Sequence, residues 1–163
     1  LYDEFAPPLS HALGSLSSVL AKAEAHAAAR KTDEGVYLGA RLFPDMFALT
    51  RQVQVACDQV RRGAARLSGQ EPASVPDTEA SFADLRARIA STLAVVKALT
   101  PAALEGADKR TYTFKAGPRD VSFEGANYIR YWILPNFYFH MATAYGILRH
   151  NGVEIGKADF LGG

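Results

Sequence analysis

Four long segments place apolar residues every three or four positions, and this repeated period restricts the chain to a helical solution. In residues 7–30 the stripe is Leu9, Leu13, Leu16, Leu20, Ala23 and Ala27, opposite Ser10, Ser17, Lys22 and Glu24. In residues 45–67 it is Met46, Leu49, Val53, Cys57, Val60, Ala64 and Leu67. In residues 78–99 it is Phe82, Leu85, Ile89, Leu93 and Val96, with Arg86 and Arg88 elsewhere on the cylinder. The fourth segment, 125–150, is apolar almost all round. Pro7 and Pro8 suit a helix start, and Asp45 follows the chain break at Phe43-Pro44. Between the first two segments, Thr32 as N-cap with Asp33 and Glu34 predicts a short helical turn over 32–41. Thr100-Pro101 predicts another, ending at Gly106.

Residues 109–124 change period. Tyr112 and Phe114 alternate with Thr111, Thr113 and Lys115, and Val121 and Phe123 alternate with Asp120 and Ser122, around Ala116-Gly117-Pro118-Arg119. This pattern predicts a two-stranded hairpin. Isolated hairpins are marginal in water, so its Tyr/Phe/Val/Phe face should lie on the helices. A tail, 153–163, offers Ile155, Phe160 and Leu161 for docking. The expected fold is all-α: a single four-helix bundle over 1–163, with the hairpin before the last long helix. One domain suits 163 residues, since domains run to roughly 100–200 residues.

Composition limits the chemistry. Eighteen Lys and Arg against 17 Asp and Glu leave a net charge of +1. That is no electrostatic footprint for nucleic acid or an acidic membrane. No apolar run reaches the roughly 18 residues of a membrane span. A single cysteine, Cys57, excludes an internal disulfide and a thiolate zinc cluster. Its place in a core stripe reads as a small buried hydrophobe rather than a nucleophile. The chain opens at Leu1 rather than Met. The expectation is a cytoplasmic protein, trimmed at its start, with a reduced thiol.

The fourth segment carries the most information. A helix apolar on every side is buried on every side, so part of it must lie under the hairpin and tail or in a homodimer interface. Symmetric dimers are the commonest oligomers, and a homodimer is expected. Pro135 should kink the helix near residues 130–134. Asn136 and His140 then stand at i and i+4 in the stripe Ile129, Ile133, Asn136, His140, Ala144 and Ile147. Two polar groups in such a stripe need partners. Either they face a polar site in the bundle interior, or they are a buried pair satisfied by backbone groups at the proline; the sequence alone favours the second.

Metal binding is the sharpest form of the first reading, because paired helical histidines present two imidazoles to one ion. Here one of the pair is an amide, and zinc and nickel prefer imidazole, thiolate or carboxylate. Gln52, bordering the stripe beside Val53, and Asp45, seven residues earlier, are the groups on another helix within the same register. Of the remaining histidines, His150 complements a helix C-terminus, His26 is expected in solvent, and His11 is unassigned.

Several runs resemble one known family: Pro135-Asn-Phe-Tyr-Phe-His140, Thr143-Ala-Tyr145, Leu148-Arg-His-Asn-Gly152, Ile155-Gly-Lys157, Asp159-Phe-Leu-Gly162, and Ala40-Arg-Leu42 with Pro44-Asp-Met46. It is an uncharacterised bacterial domain-of-unknown-function branch of the DinB/YfiT-like superfamily. The resemblance implies an up-down-down-up bundle and frequent dimers. That superfamily includes metal-dependent low-molecular-weight thiol S-transferases and a thiol-dependent maleylpyruvate isomerase, with the metal on three histidines. Carried over, the pair on the last long helix falls on Asn136 and His140, and the second-helix ligand falls near Gln52, so two ligands are replaced. The resemblance thus implies a vestigial, metal-free polar pocket in which Gln52, Asn136, His140 and Tyr145 would contact a small ligand. Two alternatives stand beside it. One is a metal-dependent transferase or hydrolase using His140 with Asn136 and Gln52 around zinc or nickel. The other is a purely structural or interaction protein.

Overall fold

The computed structural model describes residues 1–163. Its first helix, α1, spans Tyr2–Ala29 rather than starting at Pro7. Both prolines lie inside it, where missing N–H groups and ring clashes are costly. Tertiary contacts hold the additional turn. Phe5 and Ala6 are buried, and Glu4 accepts two bonds from the Arg130 guanidinium at 2.6 and 3.0 Å. The short helix α2 (Glu34–Leu38) is capped by Asp33, not Thr32, the Asp33 carboxylate accepting from the Gly35 N–H at 2.7 Å.

The next long helix, α3, spans Leu49–Leu67. It does not begin at Asp45, because residues 41–47 are held as a loop. The Leu49 N–H donates to the Ala40 carbonyl at 2.9 Å, and the Arg41 guanidinium donates to the Met46 carbonyl at 2.7 Å. The third long helix, α4, spans Phe82–Ala98, opened by Ser81 as N-cap to Asp84 rather than at Thr78. Its first free N–H, on Phe82, is taken by the Glu34 carboxylate at 2.8 Å. Arg88 lies off the apolar stripe but is not at the surface: its side chain is 2% exposed. It donates to Asp58 and Glu79 at 2.7 and 3.0 Å, and to the Pro76 carbonyl at 3.0 Å.

A 3-10 turn at Pro101–Leu104 is capped by Thr100 as expected. Strands β1 (Thr111–Ala116) and β2 (Arg119–Glu124) then pair antiparallel, Tyr112 opposite Phe123 and Phe114 opposite Val121. Tyr112 stacks on Tyr128 at 4.7 Å between ring centroids, and Phe114 meets Trp132 edge-on at 5.2 Å. The hairpin's aromatic face therefore rests on the start of the last long helix.

That helix carries a π-helical turn at Ile129–Ile133 before α5 (Leu134–His150). The Leu134 N–H reaches back to the Ile129 carbonyl. The widened turn falls on the residues where Pro135 was expected to disturb the ladder, and Pro135 brings no N–H of its own to restore it. The tail forms α6 (Lys157–Leu161), which lies on α1 through the Lys22–Asp159 ion pair and the His11 ring bonded to the Leu161 carbonyl at 2.7 Å. The long helices pack as α1 on α4, α4 on α3 and α3 on α5. The fold is thus mostly helical, with one two-stranded antiparallel sheet. No single helix is long and apolar enough to cross a membrane.

Candidate functional site

His140 is buried on α5, facing α3, and its Nδ1 lies 2.7 Å from Gln52 Oε1. Gln52 is 1% exposed, and its amide nitrogen donates to the Phe47 carbonyl at 3.0 Å. That bond fixes the amide orientation. Oε1 must accept, so His140 carries its proton on Nδ1, and Nε2 presents a lone pair. Burial first, and the Arg51 guanidinium second, hold the imidazole below the usual histidine range. It is a neutral ring with a fixed tautomer at neutral pH.

His140 and Gln52 form part of an open cleft of about 210 Å³, bounded by Asp45, Met46, Phe47 and Phe139. The 41–47 loop forms one wall. The failure of α3 to begin at Asp45 is therefore what places Met46 and Phe47 over the site. A wider hollow of about 390 Å³ between α3 and α4 holds none of the expected site residues.

The other two expected contacts are turned elsewhere. The Asn136 amide donates to the Trp132 carbonyl, one turn back on its own helix, at 2.8 Å. The Tyr145 hydroxyl donates to the Ile155 carbonyl at 3.4 Å, and its ring meets Phe160 edge-on. Tyr145 thus ties the tail to α5. Sequence reasoning passed over Phe47 and Phe139 as cleft walls. Nothing in the stripe marks them, since Phe139 faces solvent on α5 and Phe47 lies in the loop.

Cys57 and His26 lie outside the cleft and pack into the structure. Burial pushes the Cys57 thiol up to about 12, which leaves it an inert core group. His26 is half-buried against Tyr37 rather than solvated, with rings 5.6 Å apart.

Residues 1–161 match the family model described as a domain of unknown function, DUF1993. The chain belongs to this family. DUF1993 here is DinB-like: the crystal structure of a DinB family member protein from Shewanella denitrificans is 42% identical and superposes with a TM-score of 0.91. The match covers 100% of this chain and 92% of that one. Among curated proteins nothing matches.

The metal that the superfamily resemblance implies does not fit the side chains of this DUF1993 chain. Gln52 Oε1 is engaged by His140, Gln52 Nε2 by Phe47, and the Asn136 amide nitrogen by Trp132. No three His, Cys, Asp or Glu side chains gather closely enough to hold an ion. Beside His140 Nε2 the cleft offers the Asp45 carboxylate, and one imidazole with one carboxylate falls short of the three protein ligands of a zinc site.

Proposed function

We propose that this chain is a DinB-type four-helix bundle whose cleft between the 41–47 loop and α5 holds a small organic ligand without a metal ion. One observation carries this reading: the Gln52 amide locks His140 as the Nδ1–H tautomer and leaves the Nε2 lone pair free at the cleft. The remaining polar group of the lining, the Asp45 carboxylate, also accepts, and the other walls are Met46, Phe47 and Phe139. The complementary ligand is an apolar body with a hydrogen-bond donor. Its size is about that of a single ring, since a cavity of roughly 150 Å³ takes benzene. The 42% identity to a DinB family member supports the bundle architecture. The outward face of α5 supports a homodimer, argued below.

The test is a fragment screen read on the ring nitrogens of His140 by NMR. Phenols, anilines and primary amides should shift the His140 Nε2 resonance, and equally sized rings that only accept should not. If no fragment perturbs His140 at millimolar concentration, the pocket reading falls. Stoichiometric zinc or nickel in protein purified without chelator or His-tag would overturn the metal-free part.

A further inference from the structure

The open edge of β1 lies apart from the cleft at His140. The Gly125 N–H donates to the Arg110 carbonyl at 2.9 Å, which sets the phase of the ladder just before β1. With the observed register, Tyr112–Phe123 and Phe114–Val121 are then the bonded pairs of the ladder. Thr111, Thr113 and Lys115 consequently turn their N–H and C=O groups away from β2, and no other backbone group meets them there.

This edge faces a polar cleft of about 440 Å³ between β1 and the 69–72 segment. Two guanidinium groups line it. Arg66 is held by the Tyr128 hydroxyl at 3.0 Å and lies over the Phe114 ring at 4.2 Å. Arg110 is held by the Leu67 and Glu105 carbonyls at 2.8 and 3.2 Å. Both are fixed by neutral acceptors, and neither forms an ion pair. One carboxylate, Glu71, is in the lining.

We propose that the β1 edge with Arg66 and Arg110 is a docking groove for an extended peptide segment carrying a carboxylate, which adds to the hairpin as a third strand. Donors and acceptors alternate along the edge at strand spacing, and a free anion would leave the carbonyls unmatched. A peptide strand satisfies both, and its carboxylate meets two guanidiniums already held in place. Charge decides against a second copy of this hairpin, since self-pairing about a twofold axis would set the Arg66 and Arg110 pairs against each other.

The experiment titrates amide-labelled protein with capped hexapeptides of alternating Thr and Val bearing a central Glu, Gln or Lys. The Glu peptide should shift the Thr111 and Thr113 amides and bind at least tenfold more tightly than the Lys peptide. N-methylation of its edge-facing amides should abolish binding, a control that needs no protein variant. Thr113→Pro removes an N–H that the hairpin does not use and should weaken the Glu peptide at least tenfold with the melting temperature held. Equal binding of the three peptides, undiminished binding of the N-methylated one, or the same shifts from acetate alone would each overturn the proposal. So would a change of oligomeric state in Thr113→Pro.

Discussion

His140 shows how one residue's neighbours set its chemistry. Burial disfavours a positive charge on the ring, Arg51 opposes one, and the Nδ1 partner is the neutral amide oxygen of Gln52. The folded state therefore holds the imidazole below the value near 6.5 of an unfolded chain. The unfolded chain takes up the proton first, so this stability contribution is complete above about pH 6.5 and is lost as pH falls through the folded value. Native protein should accordingly lose melting temperature between pH 7.5 and 5. His140→Phe should be flatter over that interval. At pH 7.5 it should be less stable by about 1–3 kcal/mol, because Gln52 Oε1 is left buried without a donor. Parallel pH profiles of the two proteins would refute this account. The Gln52–His140 pair was legible in the sequence because both residues interrupt or border apolar stripes. Asn136 in the same stripe, and Tyr145 named as a further contact, each bond instead to a nearby main-chain carbonyl. Stripe position says that a polar group needs a partner, not which partner it finds.

At the level of elements, period was a reliable guide and boundaries were not. The stripe residues of the first helix are buried without exception, and the hairpin runs over the strands its alternation marks. The helix starts at Pro7, Asp45 and Thr78 were displaced by contacts distant in sequence: Phe5 in the core, Leu49 on the Ala40 carbonyl, and Phe82 on the Glu34 carboxylate. Such contacts leave no local signal. The junction of hairpin and last helix shows how tightly elements can be joined. Gly125 has φ +51°, and a Cβ there would lie 2.3 Å from the Asp108 carbonyl oxygen. Left-handed backbone costs an L-residue about 1–2 kcal/mol, and forcing extra atoms into a packed site adds roughly 1–3 kcal/mol. Gly125→Ala should therefore lose about 2–5 kcal/mol in chemical denaturation, with faster amide exchange in β1 and β2. A loss below about 0.5 kcal/mol would mean that the junction relaxes freely.

Over the whole molecule, charge and apolar surface are distributed unevenly. The buried Arg88 draws Asp58 of α3, Asp77 and Glu79 of the connecting segment, and α4 itself into one ion-pair network. Removing one member of such a network leaves an uncompensated charge, so it pins the connection more firmly than surface pairs could. The opposite situation holds on α5. Its solvent face carries Pro135, Tyr138, Phe139 and Ala142, continued from Tyr131 of the π-helical turn, with no charge until Arg149. Phe43 and Phe47 of the loop are exposed as well, at 64% and 50%. The sequence made this helix apolar all round, and neither the hairpin nor the tail covers this side. Large contiguous apolar surface on a folded chain marks an interaction site, and a twofold axis pairs one such face with itself. Sedimentation should find a dimer at micromolar concentration. Tyr138→Glu, which sets two like charges near the axis without touching the Gln52–His140 pair, should give a folded monomer. A native protein that sediments as a monomer up to about a hundred micromolar would refute the dimer. A Tyr138→Glu protein that stays dimeric would move the interface off this face.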